Sequence, residues 1–197
     1  MNQKINLKKL EKKAWTKYFD DGLWDIFFGI MLLTTVIRTI TDNVWFTFLI
    51  FSGVLIMIAG KRYMTVPRIG LVKFGPEREM KRIKLIGIIG IAVIITFILF
   101  LAGNSINNPP KMMFSFIIAA LVVVIFGFLA YYLEYFRLAL YGILFAIGEI
   151  LWSLFGESVG LMAMLAFGST ILIIGIITLV LFMRENPLPS EGAMNGS

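Results

Sequence analysis

Long apolar stretches alternate with short polar segments along most of this 197-residue chain. Crossing a bilayer as a helix takes about 20 predominantly apolar residues. Six stretches meet or approach that length: residues 22–40, 44–60, 85–103, 112–133, 138–155 and 159–183. The pattern predicts an all-α integral membrane protein, whose residues 22–183 form a compact bundle of six transmembrane helices.

The two ends of the chain are polar. In residues 4–19, apolar side chains recur at helical spacing among six lysines, which predicts an amphipathic helix on the membrane surface within a basic cytoplasmic segment, residues 1–21. The alternative is a simple positive flank that orients the first span. Residues 184–197 contain two prolines and two glycines, and we expect a disordered cytoplasmic tail.

The segment between the second and third spans, residues 61–84, is strongly basic. It holds eight of the 18 Lys and Arg residues, and each would cost about 2.5–3.5 kcal/mol at the centre of a span. The second span is expected to end at Gly60, where this basic segment begins, and a cytoplasmic loop to follow, within which Pro67 disfavours helix at Val66.

Composition and charge support this membrane topology. The chain is 59% hydrophobic, whereas soluble domains are typically about 45–50% apolar. With six spans, sixteen Lys and Arg residues fall on one side, and only Arg38 and Lys111 fall on the other. The positive-inside rule then predicts a multi-pass protein of the cell membrane with both termini cytoplasmic. Because the net charge of +6 follows the membrane flanks, we expect the lipid bilayer as partner and no nucleic acid.

The residue inventory limits the chemistry. The chain has no Cys and no His, which excludes disulfides, thiolate catalysis, Cys/His zinc sites and imidazole proton relays. No nucleophile motif or metalloprotease motif is present. We therefore expect no catalytic residue, no metal site, no cofactor and no enzymatic activity.

Glu149 is the first candidate for a buried polar site. It lies about 11 residues, or roughly 16 Å, into the fifth span. A carboxyl group at that depth must be protonated or paired, and such residues often serve function. Arg38, near the outer end of the first span, is the predicted partner because a long side chain can bridge a difference in depth. The alternative is a structural acid that bonds a neighbouring hydroxyl or cation.

Two carboxylates lie one helical turn apart at the start of the first span. Asp21 is favoured there by the helix dipole, and the deeper Asp25 needs a basic partner. We predict that Asp25 pairs with Arg68 or Lys73, so that the segment with Asp21 and Asp25 docks the central loop. A divalent-cation site is the weaker alternative, since it needs about six oxygen ligands.

The central loop also suggests binding of anionic lipid headgroups or phosphate. Arginine offers a planar fork and lysine a point charge for such groups. The candidate contacts are Arg68, Lys73, Arg78, Lys81 and Arg82. The alternative is a folded loop without a ligand.

Two classes of function fit these features. The first is a small transporter or a transporter-accessory subunit, with its polar site at Glu149 and Arg38. The second is a non-catalytic membrane module that binds a cytoplasmic partner protein or anionic lipid through residues 61–84.

Overall fold

In the computed structural model, the described residues are 15–69, 80–81, 83–88, 90–91, 94–95, 98 and 111–188. These residues are helical with no strand among them, which confirms the predicted all-α class. Five helical stretches in this part of the chain are long and apolar enough to cross a membrane. About half of the third predicted span, residues 85–103, falls outside the described residues, and the terminal segments 1–14 and 189–197 lie wholly outside them.

Most helix bounds lie within two residues of the expected spans. The elements are α1 (Leu23–Thr41), a 3-10 turn (Val44–Phe48), α2 (Leu49–Gly60), a π turn (Lys61–Thr65), α3 (Val66–Ile69), α4 (Lys111–Leu133), α5 (Arg137–Phe155) and α6 (Glu157–Glu185).

The helix that begins with α2 continues past the boundary expected at Gly60. Val66 has helical angles (φ −60°, ψ −44°), so the expected break before Pro67 is wrong. In the π turn, the Val66 N–H donates to the Lys61 carbonyl. Such local π adjustments let a membrane helix accommodate a proline by satisfying the freed backbone groups. The second candidate span therefore extends over Val44–Ile69.

The chain forms two compact units, and the first consists of residues 1–74 and 168–197. Here α1 packs antiparallel to the second part of α6 through glycines spaced seven residues apart: Gly22 and Gly29 on one side, Gly168 and Gly175 on the other. A Cβ added at Gly29 would lie 2.8 Å from Leu172 N, and one added at Gly175 would lie 2.7 Å from Ile26 N. Small residues permit such close backbone approach between helices in lipid.

The first candidate span, Trp15–Thr41, is interrupted before α1. Helix covers residues 15–19, and then Gly22 adopts a left-handed conformation with φ +82°. Only glycine enters that region without a steric cost. Trp15 and Phe19 are buried, with ring centroids 4.9 Å apart, so this described end of the predicted surface helix packs within the protein.

The second unit, residues 75–167, contains the hairpin of α4 and α5. Gly142 of α5 lies against the Phe126 side chain of α4. Near the turn between these helices, Lys81 Nζ lies 2.7 Å from Glu134 Oε1. The first part of α6 packs on α5, where Gly148 faces Met164.

The distribution of exposed apolar and buried polar side chains is the reverse of that in a typical soluble protein. Large apolar side chains are exposed along the helices, including Trp45 at 74% and Phe51 at 62%. Among the described residues, the buried polar ones are Asp21, Asp25, Thr34, Lys61 and Thr65. Broad apolar surfaces on helices of this length are typical of lipid contact, which supports the membrane prediction.

Candidate functional site

A buried ion pair joins the interruption of the first candidate span at residues 20–22 to the π turn of the second. Lys61 Nζ is 2.7 Å from Asp21 Oδ2, and the exposed fractions of the two side chains are 11% and 0%. The Thr65 hydroxyl donates to the same carboxylate oxygen at 2.5 Å. The Leu23 N–H donates to the other oxygen, Oδ1, at 3.1 Å. Both oxygens of Asp21 are thus bonded within the protein.

Lys61 has further partners beside this carboxylate. Its ammonium group donates to the Tyr18 carbonyl. It also lies 4.3 Å from the centroid of the Tyr18 ring and 5.5 Å from that of the Phe19 ring. A cation over an aromatic face is attracted by the ring quadrupole, and more strongly when it is desolvated. The lysine charge is therefore surrounded by negative or electron-rich groups.

Local backbone geometry places these side chains. Asp21 lies in the interruption before α1, where its side chain bonds the Leu23 N–H two residues on, as Asp commonly does in turns. Lys61 and Thr65 are the first and last residues of the π turn. Residues four apart in a helical segment lie on the same face. Both side chains can then reach one carboxylate.

Asp25 lies one turn further along α1 and is also fully buried. Its Cβ is so close to α6 that a Cβ added at Gly175 would lie 2.9 Å away. Arg68 donates through Nη1 to the Met64 carbonyl at 2.8 Å, and Lys73 falls outside the described residues. Docking of Asp21 and Asp25 by these two cations stays a prediction, whereas the described cation at Asp21 is Lys61.

A sequence signal for this pairing exists. Asp21 lies 20 residues before Thr41, at the end of α1, and Lys61 lies 20 residues after it. In an antiparallel hairpin with a short turn, equidistant residues come to the same level. Gly60 lies against the Leu23 side chain, which agrees with this alignment to within one residue. The sequence pattern places Lys61 in the basic segment 61–84, and this placement does not mark it as a partner of Asp21.

Glu149 accepts a hydrogen bond from the Ser115 hydroxyl at 3.1 Å, between α5 and α4. The glutamate is half-buried. Arg38 is exposed in the last turn of α1 and belongs to the other compact unit. Its contact with Glu149 stays a prediction, and the described partner of Glu149 is a hydroxyl.

The proposed headgroup contacts are only partly described. Lys81 pairs with Glu134, and the two side chains are 35% and 24% exposed. Arg68 is half-buried, and its Nε has no hydrogen-bond partner within the described part of the chain. The remaining candidates, Lys73, Arg78 and Arg82, lie outside it. Binding of anionic lipid or phosphate by these residues stays a prediction.

The site binds one cation, the ammonium group of Lys61. Among the described residues, no group of three or more acidic, His or Cys side chains is arranged to hold a metal ion. No protein-family model matches the chain, and neither a curated protein nor a solved structure is significantly similar to it. The function must therefore be argued from the Asp21–Lys61 pair and its helices.

Proposed function

We propose that this protein is a small membrane transporter, or the accessory subunit of one, with its polar site at Asp21 and Lys61. The observation that carries the proposal is the buried ion pair between the interruption of the first candidate span at residues 20–22 and the π turn Lys61–Thr65 of the second. Broken membrane helices are common where transporters bind substrate or coupling ions. Ionisable residues inside membrane segments are rare and frequently mark a transport path.

The threading that we propose has six crossings. In the first unit, α1 and the second part of α6 are antiparallel. If both cross the bilayer, the total number of crossings is even and the termini share one side. Five candidate spans are described, so a sixth crossing is needed between α3 and α4. The apolar residues 85–103 are the candidate, and the excess of basic residues on the terminal side favours the cytoplasm.

Single cysteines test this threading directly, since the chain has no cysteine of its own. We expect a membrane-impermeant maleimide to label Asn107→Cys in intact cells, because residues 104–110 would face outward. Ser190→Cys should react only after the cells are permeabilised. Equal labelling of both positions in intact cells would contradict the proposed topology.

Transport itself is tested in liposomes that contain the purified protein. We expect uptake of monovalent cations or protons above that of protein-free liposomes. Asp21→Asn should reduce this uptake by about tenfold or more, which corresponds to about 1.4 kcal/mol on the rate-limiting barrier. Arg62→Gln, an exposed neighbour of Lys61, is the matched control and should retain uptake.

Two results of the flux assay would count against the proposal. Uptake no greater than in protein-free liposomes would exclude an autonomous transporter, and the accessory role would then require a second membrane protein in stoichiometric amount after gentle purification. If Asp21→Asn and Arg62→Gln reduce uptake equally, the Asp21–Lys61 ion pair has no specific role in transport. Glu149→Gln, measured beside them, tests the second polar position.

The alternative membrane module has less support from the described contacts. Two cations of residues 61–84 are already engaged within the protein, Lys61 with Asp21 and Lys81 with Glu134. Fewer basic groups remain for lipid headgroups or an acidic partner. Transport therefore stays the first proposal.

A further inference from the structure

The surroundings of the Lys61 ammonium group form a set of ligands that suits any primary ammonium ion. A carboxylate oxygen of Asp21 lies at 2.7 Å, the Tyr18 carbonyl accepts a second hydrogen bond, and the Tyr18 ring covers the group at 4.3 Å from its centroid. An ammonium group has three N–H donors and no acceptor. The pocket surrounds these donors with two acceptors, the Asp21 carboxylate and the Tyr18 carbonyl, and with the face of the Tyr18 ring.

The other groups of this pocket also have partners besides the lysine. Asp21 is also held by the Thr65 hydroxyl and by the Leu23 N–H. Tyr18 and Phe19 contact each other edge to face, with ring centroids 5.1 Å apart. The carboxylate and the rings thus have partners of their own, and Lys61 contributes the cation.

Lys61 enters the pocket from the π turn. A π turn contains i→i+5 bonds within an otherwise α-helical run, and such turns occur frequently at functional sites. Rewinding this turn into an α-helix would shift the base of the lysine side chain relative to Asp21. The winding of this turn therefore sets the distance between the base of the lysine side chain and Asp21.

We propose that the pocket lined by Asp21, Tyr18, Phe19 and Thr65 is a binding site for a small primary ammonium ion, and that Lys61 is a tethered occupant which this ion replaces. The inference rests on the proposed transport function and names the substrate class of the same site. No covalent step is involved, because one cation exchanges for another at a fixed carboxylate.

Chemical rescue of Lys61→Ala tests the proposal. This substitution removes three methylene groups and the ammonium, and n-propylammonium carries the equivalent atoms. The probe is n-propylammonium chloride added to the purified variant in detergent, with thermal unfolding as the readout. Near 100 times its Kd, we expect the Tm to rise by about 5–10 °C. Tetramethylammonium chloride at the same ionic strength has no N–H donor and should give no such rise.

Two variants complete the rescue experiment. Asp21→Asn combined with Lys61→Ala should lose the response, because the carboxylate acceptor is gone. Arg62→Ala removes a neighbouring exposed cation and should respond no more than the wild type. Equal responses to both ammonium salts, or an equal rise in the double variant, would overturn the proposal and leave Lys61 as a fixed internal partner.

A measurement on the wild-type protein avoids dependence on the folding of Lys61→Ala. Exchange releases the buried lysine to water, so with n-propylammonium the acetylation of Lys61 by a water-soluble reagent should rise several-fold relative to that of Lys81 in the same sample; the ratio is used because n-propylamine itself consumes part of the acetylating reagent. Peptide mass spectrometry reads this position against Lys81 as an internal control. An unchanged ratio of Lys61 to Lys81 acetylation at saturating n-propylammonium would overturn the exchange.

Failure of the ammonium site and failure of transport give different results. If n-propylammonium stabilises Lys61→Ala but the liposomes show no uptake, the ammonium site is supported and autonomous transport is excluded. Flux that depends on Asp21, without rescue or exchange, would retain transport and exclude a primary ammonium ion as its substrate.

Discussion

Replacing Lys61 with methionine is expected to destabilise the protein by about 3–5 kcal/mol, the usual cost of removing one partner from a buried ion pair. Methionine retains the length and apolar volume of the side chain, so the packing of the π turn is largely preserved. The loss arises because the Asp21 carboxylate, with an exposed fraction of 0%, remains buried without its cation. The free energy of unfolding in mixed micelles, measured by denaturant titration, gives the value.

Arg62→Met is the matched control for this prediction. It introduces the same residue one position away, on an exposed side chain of the same turn. Surface substitutions usually change stability by no more than about 0.5 kcal/mol. If Lys61→Met and Arg62→Met destabilise the protein equally, the Asp21–Lys61 pair is not the stabilising contact that the structure indicates.

Gly29→Ala should also destabilise the protein, by about 1–3 kcal/mol, through overpacking between α1 and α6. The added Cβ would lie 2.8 Å from the Leu172 backbone nitrogen and 2.9 Å from its Cα. Backbone atoms cannot rotate away as a side chain can, so the two helices would have to separate. Thermal unfolding in one detergent at one protein concentration gives the comparison with wild type.

Gly127→Ala provides the same substitution in open space. A Cβ at Gly127, within α4, would meet nothing within 4 Å, and this position is exposed. Alanine is favoured over glycine in helix interiors by up to about 1 kcal/mol, so this variant should be as stable as wild type or more stable. Similar losses at positions 29 and 127 would argue against a specific helix contact at Gly29.

Helix positions were the most predictable feature of the fold. The length of an apolar run and the polar residues at its ends depend only on local sequence. The bounds of α4 and α5 accordingly differ by one residue at the start from the predicted spans, and their ends agree. The crossing at residues 85–103 rests on the same reasoning and stays a prediction.

The path of the chain around the ion pair was less predictable. A lysine after an apolar run normally marks the end of a span, and Pro67 reinforced that interpretation. The helix continues because a π turn satisfies the backbone, and Lys61 can be buried because Asp21 lies at the same level of the hairpin. Neither the π turn nor the left-handed Gly22 has a reliable local signature.

The identity of a buried residue's partner was less predictable than the depth of that residue along its helix. Glu149 was selected because a carboxyl group in an apolar run needs a partner, and the structure gives it the Ser115 hydroxyl. Arg38 was chosen for its depth alone, since sequence positions give no distance between helices that are not consecutive. Depth along a helix is computed from the rise per residue, whereas lateral neighbours depend on packing.

The pairing of Asp21 with Lys61 is tested most directly by a double-mutant cycle. Unfolding free energies are measured for Asp21→Asn, Lys61→Met and the double variant under one set of conditions. The double variant should lose less than the sum of the single variants, with a coupling free energy toward the upper end of the roughly 0.5–3 kcal/mol seen for contacting residues. Additivity within about 0.3–0.5 kcal/mol would show that the two residues act independently and would contradict the proposed site.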